Sequence, residues 1–579
     1  MATSSLVCDD ASVEHLKAVA KAVFGFDALK QEQVEVMQAL MKNHKDVFYA
    51  FPTGGGKSLC YQLPALASSR PGFALIVSPL IALMQDQLHK LREVLSSSLN
   101  DHPQNRFGPS SCAVLNSSIS PAEREVLLQD LQLETPATRI VYITPEQISS
   151  EAFKLILGKV AANKTLLYAA IDEAHCISQW GHDFRPAYRR LRIFRDLCPG
   201  VPLLACTATS TPKVRDDVID SLRMNDPKIV SMSFDRPNLA YSIVFKGDDD
   251  DGMDKIVHVV REAQVDGPDS TGLVYCFRRA DCEKVASRLQ GAGIKAGAYH
   301  AGMPDKQRAK IQNDWLKGGP QAPRVLCATI AFGMGVDKAN VRFVIHMTLS
   351  KTIEGYYQES GRAGRDGKPA KCVLLYSNND AGLLRWFIGK KFEDIRKKKK
   401  EKAEEWKGWN PRQLEEQERR ELEAFDLFTT YATKASCRRE FLLGHFGEKL
   451  ASRRGPSRKQ QCCDYCSDPS AVQQATQKAL HRNRGGLRTH PSLATPAKRP
   501  FNYEYDNRST SSSVGYFKRC RSESSSSSRS PLSSEVSRVA ARAKRGGTIS
   551  MLGALMRAEE KASTNSKAGH RRSLRERFR

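Results

Sequence analysis

The stretch "DVFYAFPTGGGKS", residues 46–58, decides the fold because it leads from an apolar, strand-like run through a glycine-rich turn into a helical pattern. Glycines in such a turn allow backbone N–H groups to approach phosphate oxygens, a following lysine reaches the β- and γ-phosphates, and a serine hydroxyl can ligate Mg²⁺. The strictest form of this motif would have glycine in place of Phe51. A glycine turn beside a surface lysine is the plain alternative. We predict a phosphate-binding loop formed by Thr53, Gly54, Gly55, Gly56, Lys57 and Ser58.

Short apolar runs alternate with amphipathic stretches around this loop. The first part of the chain contains such runs at 46–51, 73–78, 139–144, 166–172 and 202–208. The same texture resumes after the acidic run "GDDDDG" (247–252), with apolar runs at 272–277, 295–300, 324–329, 341–346 and 371–376. Runs of this length separated by helices are typical of parallel strands that are buried on both faces. We therefore predict the α/β fold class, with two parallel-sheet lobes in tandem and a crevice between them.

The charge of the chain is strongly positive and unevenly distributed. Its 579 residues carry a formal net charge of +25, and residues 467–579 alone contain 23 Lys/Arg against 8 Asp/Glu. A basic chain favours a polyanionic partner. No apolar run approaches the length of a membrane span, and the first residues lack the apolar core of a signal peptide. We therefore expect no membrane partner and a reducing compartment for the 15 cysteines.

A carboxylate pair, Asp172 and Glu173, ends the apolar run "LLYAAID". The first carboxylate can hold a Mg²⁺ ion, and the second can orient the water that attacks a γ-phosphate. Phosphoryl transfer also needs a cation from outside the loop, and "YYQESGRAGRDG" (356–367) offers Arg362 and Arg365 in a glycine-rich turn. If these arginines belong to the second lobe, hydrolysis requires the lobes to close. The alternatives are a buried strand end followed by a core turn, and a basic surface loop.

These motifs and several others, in order from residue 24 to residue 466, resemble those of RecQ-family DNA helicases of superfamily 2. The further segments are "FGFDALKQEQ" (24–33), "SPLIALMQDQ" (78–87), "YITPE" (142–146), "CTAT" (206–209), "VYCFRRADCEKVA" (274–286) and "ATIAFGMGVDKANVRFVIH" (328–346). Within the family, "FGMGVDKANVRFV" and "YYQESGRAGRDGKP" are most similar to the fifth vertebrate RecQ type. The resemblance implies two RecA-like lobes that hold Mg·ATP. It also implies ATP-dependent 3′-to-5′ travel on single-stranded DNA, unwinding of duplexes, and a role in DNA repair, recombination and replication.

The same resemblance assigns roles to individual residues. Phe26 and Lys30 would sandwich the adenine and Gln33 would hydrogen-bond its edge. The family usually has Arg where Lys30 stands, so planar stacking is weaker here. The chemistry would be carried by Lys57, Ser58, Asp172, Glu173, Gln358, Arg362 and Arg365, with Ser58 and Asp172 as the Mg²⁺ ligands.

The segment "CISQWGHDFRP" (176–186) resembles the family's aromatic-rich loop, which couples DNA contact to ATP hydrolysis. Aromatic rings in such a loop can stack on unpaired bases, at about 1–3 kcal/mol per base, and an arginine can meet phosphates or base faces. A histidine there can relay the movement to the carboxylates, although a lone histidine is more often structural. The predicted DNA contacts are Ser78, Thr144, Trp180, His182, Phe184, Arg185 and Thr329.

A group of four cysteines, Cys437, Cys462, Cys463 and Cys466, resembles the family's helical zinc subdomain. Zinc prefers four tetrahedral ligands, and the spacing Cys463-x-x-Cys466 places two thiolates well. The fourth ligand departs from the family pattern, because Cys462 is adjacent to Cys463 and Gln460 stands at the commonest position. Adjacent cysteines need a strained turn to share a metal. We predict a Zn²⁺ site with these four ligands, a weakened or water-completed site being the alternative.

The predicted organisation has four parts: a first lobe at 1–225, a second lobe at 226–385, a helical zinc-binding subdomain at 386–468, and a basic, disordered tail at 469–579. The tail is too polar to contain the winged helix or the small helical domain that many RecQ proteins add. It can hold DNA phosphates in a salt-dependent way, provide nuclear import signals such as "FKRCRSE", and contact repair or replication proteins. We expect nuclear localisation and partners that include single-stranded and partially duplex DNA.

Two alternatives to a DNA helicase remain open from the residues. The first is an RNA-directed helicase, or a duplex translocase that does not unwind, since base stacking tolerates both sugars. The second is a nucleic-acid-binding or strand-annealing scaffold with a vestigial ATPase, which the absent winged helix and the basic tail favour.

Overall fold

The protein is built on two parallel β-sheets that follow one another along the chain. The computed structural model describes residues 12–98, 107–181, 183–247, 252–263, 270–330, 332, 338–401, 411–450 and 462–482. The predicted DNA contact His182, parts of the 328–346 segment, the zinc-ligand alternative Gln460 and the tail from 483 onward lie outside these residues.

The first sheet has seven parallel strands in the order β3-β4-β2-β5-β6-β1-β7. The strands are β1 Val47–Ala50, β2 Phe73–Val77, β3 Cys112–Leu115, β4 Ile140–Ile143, β5 Leu166–Ile171, β6 Leu203–Thr207 and β7 Lys228–Ser231. Successive residues of β1 alternate between two apolar cores, with Phe48 on one face of the sheet and Tyr49 on the other. Both faces are therefore buried, as expected for a parallel sheet that is covered by helices.

The second sheet has six parallel strands in the order β10-β11-β9-β12-β13-β8. The strands are β8 Leu239–Phe245, β9 Thr271–Tyr275, β10 Ala296–Tyr299, β11 Val325–Ala328, β12 Val341–His346 and β13 Ala370–Tyr376. Two apolar cores cover its two faces in the same way. The predicted fold class, α/β with two parallel-sheet lobes followed by a helical region, is confirmed.

Helices connect the strands and cover the sheets. They are α1 Val13–Phe24, α2 Gln31–Met41, α3 Lys57–Ala67, α4 Ile81–Ser98, α5 Pro121–Asp130, α6 Pro145–Ile148, α7 Glu151–Ala162, α8 Pro186–Arg189, α9 Ile193–Leu197, α10 Pro212–Leu222, α11 Met253–Ala263, α12 Arg279–Gly291, α13 Asp305–Lys317, α14 Ile353–Ser360, α15 Asn378–Glu401, α16 Pro411–Thr433, α17 Arg438–His445, α18 Asp464–Ser467 and α19 Pro469–Arg482. Six of them begin with proline (α5, α6, α8, α10, α16 and α19), where the missing N–H costs no hydrogen bond. Among the described residues, no helix is both long and apolar enough to span a membrane.

Three strands were missed from the sequence, and all three lie at sheet edges: β3, β7 and β8. An edge strand contacts a neighbour on one side only, so its apolar pattern is weaker. Strand β7 buries only Val230, and β8 alternates buried with half-buried residues. Because β7 pairs with β1, the first sheet extends past residue 225, where the sequence placed the lobe boundary.

The predicted start of the disordered tail, residue 469, is wrong, because the helical region after the second sheet continues past it. Helix α19 occupies residues 469–482, which the sequence assigned to a disordered segment. The Asp468 carboxylate accepts a hydrogen bond from the N–H of Ala471 at 2.9 Å and caps the helix. The Asn378 amide donates to the Ala479 carbonyl at 3.2 Å, and Thr476 is buried. Helix α19 is therefore held by a cap and by contacts with the second lobe, despite its polar composition.

Candidate functional site

The predicted phosphate loop lies between the end of β1 and the start of α3. Gly54 and Gly56 have φ of 80° and 82°, values that favour glycine, and Gly56 directly precedes the first residue of α3. The Lys57 ammonium donates to the Phe51 carbonyl at 3.2 Å. The loop therefore presents its backbone at a helix N-terminus, with the lysine folded across it, which is the geometry that binds phosphate.

The predicted Mg²⁺ ligands Ser58 and Asp172 are joined through a tyrosine that the sequence did not single out. The Tyr61 hydroxyl lies 3.1 Å from Ser58 Oγ and 3.4 Å from Asp172 Oδ2. The Cys206 thiol donates to Asp172 Oδ1 at 3.2 Å. Burial raises the pKa of Asp172, and the hydrogen bond from Cys206 opposes that rise. A hydroxyl and a buried carboxylate in one small space provide the oxygen ligands that Mg²⁺ prefers, so these residues fit the ion.

The second carboxylate, Glu173, sits in an unusual backbone conformation. Its φ of 50° is in the left-handed region, which non-glycine residues rarely adopt and which concentrates at functional sites. Glu173 Oε2 lies 3.4 Å from His175 Nδ1, and that ring nitrogen is 2.9 Å from Thr207 Oγ1 in "CTAT". Burial and the Asp172 charge together raise the pKa of Glu173 to about 7, against the opposing charges of Lys57 and Arg362. The Glu173 carboxylate therefore lies buried beside His175, and its Oε2 makes no hydrogen bond within the described part of the chain.

The second lobe reaches this site through the turn that follows α14. A side chain added at Gly54 would meet Arg365 Cγ at 3.6 Å, and one added at Gly361 would meet Thr53 Cβ at 3.5 Å. Arg362 is buried, and its charge lowers the pKa of Glu173. Gln358 lies half-buried on α14. The structure thus brings Arg362 and Arg365 against the phosphate loop and the carboxylate pair, while their roles in the chemistry stay predictions.

The predicted adenine residues occupy the segment before the phosphate loop. Phe26 is 49 % exposed and available for stacking, and Lys30 is exposed at the start of α2. Gln33 is buried: its Oε1 accepts from the Lys30 N–H at 2.9 Å, and its Nε2 donates to the Gly56 carbonyl at 3.3 Å. Gln33 therefore ties this segment to the phosphate loop, which the sequence did not predict.

The aromatic-rich loop is packed directly against the carboxylate pair. A side chain at Gly181 would meet the His175 carbonyl at 2.2 Å, so only glycine fits there. The Tyr188 hydroxyl, on helix α8 two residues beyond the loop, donates to the Asp172 carbonyl at 3.2 Å. Contacts from the middle of the loop and from the helix after it therefore lead to His175, which lies beside Glu173, and to Asp172.

Both faces of the Trp180 ring are approached by cations. Lys213 Nζ lies 3.0 Å from the ring centroid, and Arg420 Cζ lies 3.9 Å from it. Arg420 belongs to α16 of the helical region and also donates to Gln179 Oε1 at 3.1 Å. Cation–π contacts of this kind are worth about 0.5–1 kcal/mol at exposed sites. Stacking of Trp180 on a base therefore requires at least one of these cations to move.

The other predicted DNA contacts lie where strands end. Ser78 follows β2 and is buried, Thr144 follows the neighbouring β4 and caps α6, and Thr329 follows β11 in the second lobe. Arg185 pairs with Asp183 at 2.9 Å and donates to the Pro79 carbonyl at 2.8 Å, so it links the aromatic-rich loop to "SPLIA". Phe184 is half-buried beneath Arg189. In this conformation, Ser78 is the least accessible of these predicted contacts.

The four predicted zinc ligands come together. The sulfur atoms of Cys437, Cys462, Cys463 and Cys466 all lie within 4.8 Å of one another. Hydrogen bonds from Cys437 and Cys462 hold the pKa of Cys463 well below its usual range, and the backbone N–H groups of Arg438 and Cys466 point at the same sulfur at 3.5 Å. Cys463 has extended backbone, with φ −168° and ψ 170°, so its adjacency to Cys462 needs no strained conformation at Cys463. Four clustered sulfurs fit a tetrahedral zinc ion.

The cysteine cluster also covers the edge of the second sheet. Cys463 forms a parallel bridge with Tyr241 of β8, and Asp464 accepts a hydrogen bond from the Ile243 N–H at 2.9 Å. Asp464 also pairs with the fully buried Arg438 at 3.0 Å. An exposed edge strand is a site of unwanted pairing, and here the cysteine cluster closes it.

Comparison with known proteins agrees with this geometry. Three family models match consecutive parts of the chain: the DEAD/DEAH box helicase model at 30–218, the helicase conserved C-terminal domain model at 252–367 and the RecQ zinc-binding model at 379–467. ATP-dependent DNA helicase Q5 of Mus musculus is 39% identical over 469 residues, which is 79% of this chain and 43% of the relative. The chain belongs to the RecQ helicase family. The zinc-binding match includes all four clustered cysteines.

A further relative and a solved structure are also similar to this RecQ chain. ATP-dependent DNA helicase hus2/rqh1 of Schizosaccharomyces pombe is 38% identical over 455 residues, which is 77% of this chain and 30% of the relative. The chain thus spans less than half the length of both relatives. A solved structure of the DUF1998 helicase MrfA bound to DNA is 19% identical, with a TM-score of 0.51 over 63% of this chain and 51% of that chain. It supports the two-lobed fold alone.

Proposed function

We propose that this RecQ chain is an ATP-dependent DNA helicase core that couples ATP hydrolysis to movement along single-stranded DNA and to duplex unwinding. The observation that carries the proposal is the close approach of Arg365 from the second lobe to the phosphate loop of the first, where a side chain added at Gly54 would lie 3.6 Å from Arg365 Cγ. A site divided between two lobes turns over only when they close, so each hydrolysis cycle is linked to a movement. The curated relatives are named as DNA helicases, which supports DNA as the polymer.

The chain's own groups divide the work in this proposal. Lys57 and the loop N–H groups bind the phosphates, and Phe26, Lys30 and Gln33 form the adenine side. Ser58 and Asp172 would hold Mg²⁺, which neutralises phosphate charge when bound. Glu173 orients the attacking water, with its backbone in the left-handed region and its carboxylate beside His175. Gln358, Arg362 and Arg365 complete the site from the second lobe, where an arginine reaching the γ-phosphate is worth roughly 10³ to 10⁵ in rate.

The route from DNA to this site is the aromatic-rich loop. Single-stranded DNA is proposed to cross both lobes, meeting Ser78, Thr144, Trp180, His182, Phe184, Arg185 and Thr329. Movement of the loop would reach His175 through the close approach of Gly181, and Asp172 through Tyr188. Both paths are short and packed, so a displacement of the loop on DNA binding shifts the carboxylates.

The remaining assignments follow from the family. We propose 3′-to-5′ travel, a role in DNA repair, recombination and replication, nuclear localisation, and contact of repair or replication proteins with the basic tail. We also propose the division into a first lobe from residue 1 to about 231, a second lobe to 385, a zinc-binding subdomain that braces it from 386, and the tail. The zinc ion would be held by Cys437, Cys462, Cys463 and Cys466.

The test is ATP hydrolysis without nucleic acid, with single-stranded DNA and with single-stranded RNA of equal length. Wild type is compared with Trp180→Ala, and the matched control is Trp386→Ala, another exposed tryptophan, on α15. We expect DNA to stimulate wild type and the control, and Trp180→Ala to lose the stimulation while keeping basal turnover. Stimulation that survives Trp180→Ala would make the loop merely structural.

Two further outcomes separate the alternatives. Equal stimulation by RNA would favour an RNA-directed enzyme. Strand annealing that persists in Lys57→Ala, together with an absence of unwinding by wild type, would favour the scaffold. A helicase requires unwinding by wild type that is lost in Lys57→Ala.

A further inference from the structure

We propose that Arg236, in the segment that joins the two lobes, is a positioning residue that makes placement of the Arg362–Arg365 turn depend on contact with the phosphate loop. The proposal rests on the proposed function, because it explains how that divided site is assembled. Arg236 lies between β7 and β8 and was not singled out by the sequence analysis.

The Arg236 guanidinium binds backbone of both lobes at once. Its Nη1 donates to the Thr53 carbonyl of the phosphate loop at 3.2 Å and to the Gly361 carbonyl at 3.1 Å. Its Nη2 donates to the carbonyls of Ala363 at 3.0 Å and Gly364 at 2.8 Å. Three of these four carbonyls belong to the turn that carries the two arginines, and the fourth directly precedes Gly54. All four hydrogen bonds therefore form together only when the phosphate loop and the turn lie close enough for one guanidinium to reach both.

The point from which Arg236 projects is held by the surrounding structure. The Phe234 carbonyl accepts from the Tyr357 hydroxyl at 2.7 Å, and the Phe234 ring stacks on Phe446 at 4.7 Å between centroids. Arg439 donates to the carbonyls of Pro237 and Leu239 on the other side. The backbone on both sides of Arg236 is therefore tied to α14 and α17, and we expect Arg236 to stay with the turn when the phosphate loop moves away.

A neighbouring side chain, Asn238, anchors the same turn without touching the phosphate loop. Its Nδ2 donates to the carbonyls of Gly364 and Lys368, both at 2.8 Å. Gly364 has φ of 52°, and a side chain there would meet Asn238 Nδ2 at 2.4 Å. Asn238 therefore supports the turn in any lobe arrangement, whereas Arg236 completes its four bonds only when Thr53 is within reach.

Only arginine has the donors for this arrangement. The planar guanidinium offers five N–H groups in a fixed fork, while the lysine ammonium has three donors at one point. Lysine would keep the charge, but its ammonium ends one bond short of the Nη atoms and has only three donors, so it cannot meet all four carbonyls at once. Opening of the lobes breaks the Thr53 bond alone and leaves the turn held at three points, free to move relative to the phosphates.

The experiment compares Arg236→Lys and Arg236→Ala with Asn238→Ala, which loses anchoring of the turn but keeps the Thr53 contact. Steady-state ATP hydrolysis, without and with single-stranded DNA, gives kcat and KM, and titration with a non-hydrolysable ATP analogue gives Kd. Because a misplacement of about 1 Å can cost roughly 10²-fold in rate, we expect kcat to fall by about 10²-fold in both Arg236 variants, basal and DNA-stimulated alike. We expect analogue Kd to change by less than about threefold, because the first lobe binds the phosphates.

Asn238→Ala is expected to retain most of the wild-type kcat. Equal losses in Asn238→Ala and Arg236→Lys would overturn the proposal, because anchoring of the turn alone would explain both. An Arg236→Lys variant with wild-type kcat would overturn it as well. If Arg236→Ala unfolds, Arg236→Lys carries the test, its fold checked by its thermal unfolding midpoint.

The proposed function fails separately, because it depends on stimulation of wild type by DNA, whereas the role of Arg236 is read from basal kcat. A wild type that does not hydrolyse ATP would overturn both.

Discussion

The carboxylate pair and the tip of the aromatic-rich loop are eight residues apart in the chain and are held in opposite ways. Asp172 is 6 % exposed and bonded to Tyr61, Cys206 and Tyr188, in a site that burial stiffens. Trp180 is 36 % exposed and held by two cations whose own attachments are at the surface. Buried contacts among fixed groups preserve geometry, while exposed cation–π contacts are weak enough to exchange. A rigid chemical centre joined to a releasable sensor is what a coupled motor requires.

The largest expected loss of ATP hydrolysis comes from a change in the buried carboxylate pair. Glu173→Gln keeps the shape of the side chain but removes the carboxylate that orients water, and we expect kcat for ATP to fall by roughly 10³-fold. The control is Glu151→Gln, an exposed residue on α7 that pairs with Lys154. Tight binding of an ATP analogue should survive in both variants. Turnover by Glu173→Gln within about tenfold of wild type would remove Glu173 from the chemistry.

The connection between the two regions should break at Gly181. Gly181→Ala places a methyl group 2.2 Å from the His175 carbonyl, so the loop must shift. We expect DNA stimulation of ATP hydrolysis to fall by about 10- to 10²-fold with basal turnover retained, since a displacement near 1 Å is sufficient. Gly158→Ala, at a position on α7 with open space around it, is the matched control. Equal stimulation of the two variants would show that coupling does not pass through this contact.

Removal of zinc tests whether the cysteine cluster holds α16 in place against Trp180. Helix α16 carries Arg420 and ends four residues before Cys437. We expect Cys462→Ser to lose bound zinc and its unfolding midpoint to fall by on the order of 5 °C, because metal binding contributes directly to folding. Cys327→Ala, at a buried cysteine of β11, should keep its zinc. A full zinc content in Cys462→Ser would exclude Cys462 as a ligand.

The smallest effect is expected at the sensor itself. Arg420→Ala uncovers one face of Trp180, and at about 0.5–1 kcal/mol per cation–π contact we expect affinity for single-stranded DNA to rise by about two- to fivefold. Arg419→Ala is the control, since the neighbouring Arg419 is held by Glu416 and Glu423 on the same helix. A fall in affinity, measured at fixed salt, would mean that Arg420 contacts DNA directly rather than covering the ring.

The sequence by itself determined the central strands and the edge strand β10, the order of the motifs, the phosphate loop and the four clustered cysteines. These features are local. Glycine spacing, continuous apolar runs and Cys-x-x-Cys spacing can be recognised in the sequence without knowledge of tertiary contacts. The edge strands β3, β7 and β8 and helix α19 were not readable, because a strand or helix that contacts the protein on one side needs little apolar pattern of its own.

Only the tertiary structure decided which distant residues share a site. Tyr61 and Cys206 reach Asp172 from other elements, Arg420 reaches Trp180 across 240 positions of the chain, and Arg236 joins Thr53 to the arginine-bearing turn. Such contacts depend on the packing of whole lobes. A single tyrosine, cysteine or arginine has no local sequence pattern that identifies its partner. These contacts could therefore not be predicted from the sequence and are seen only in the tertiary structure.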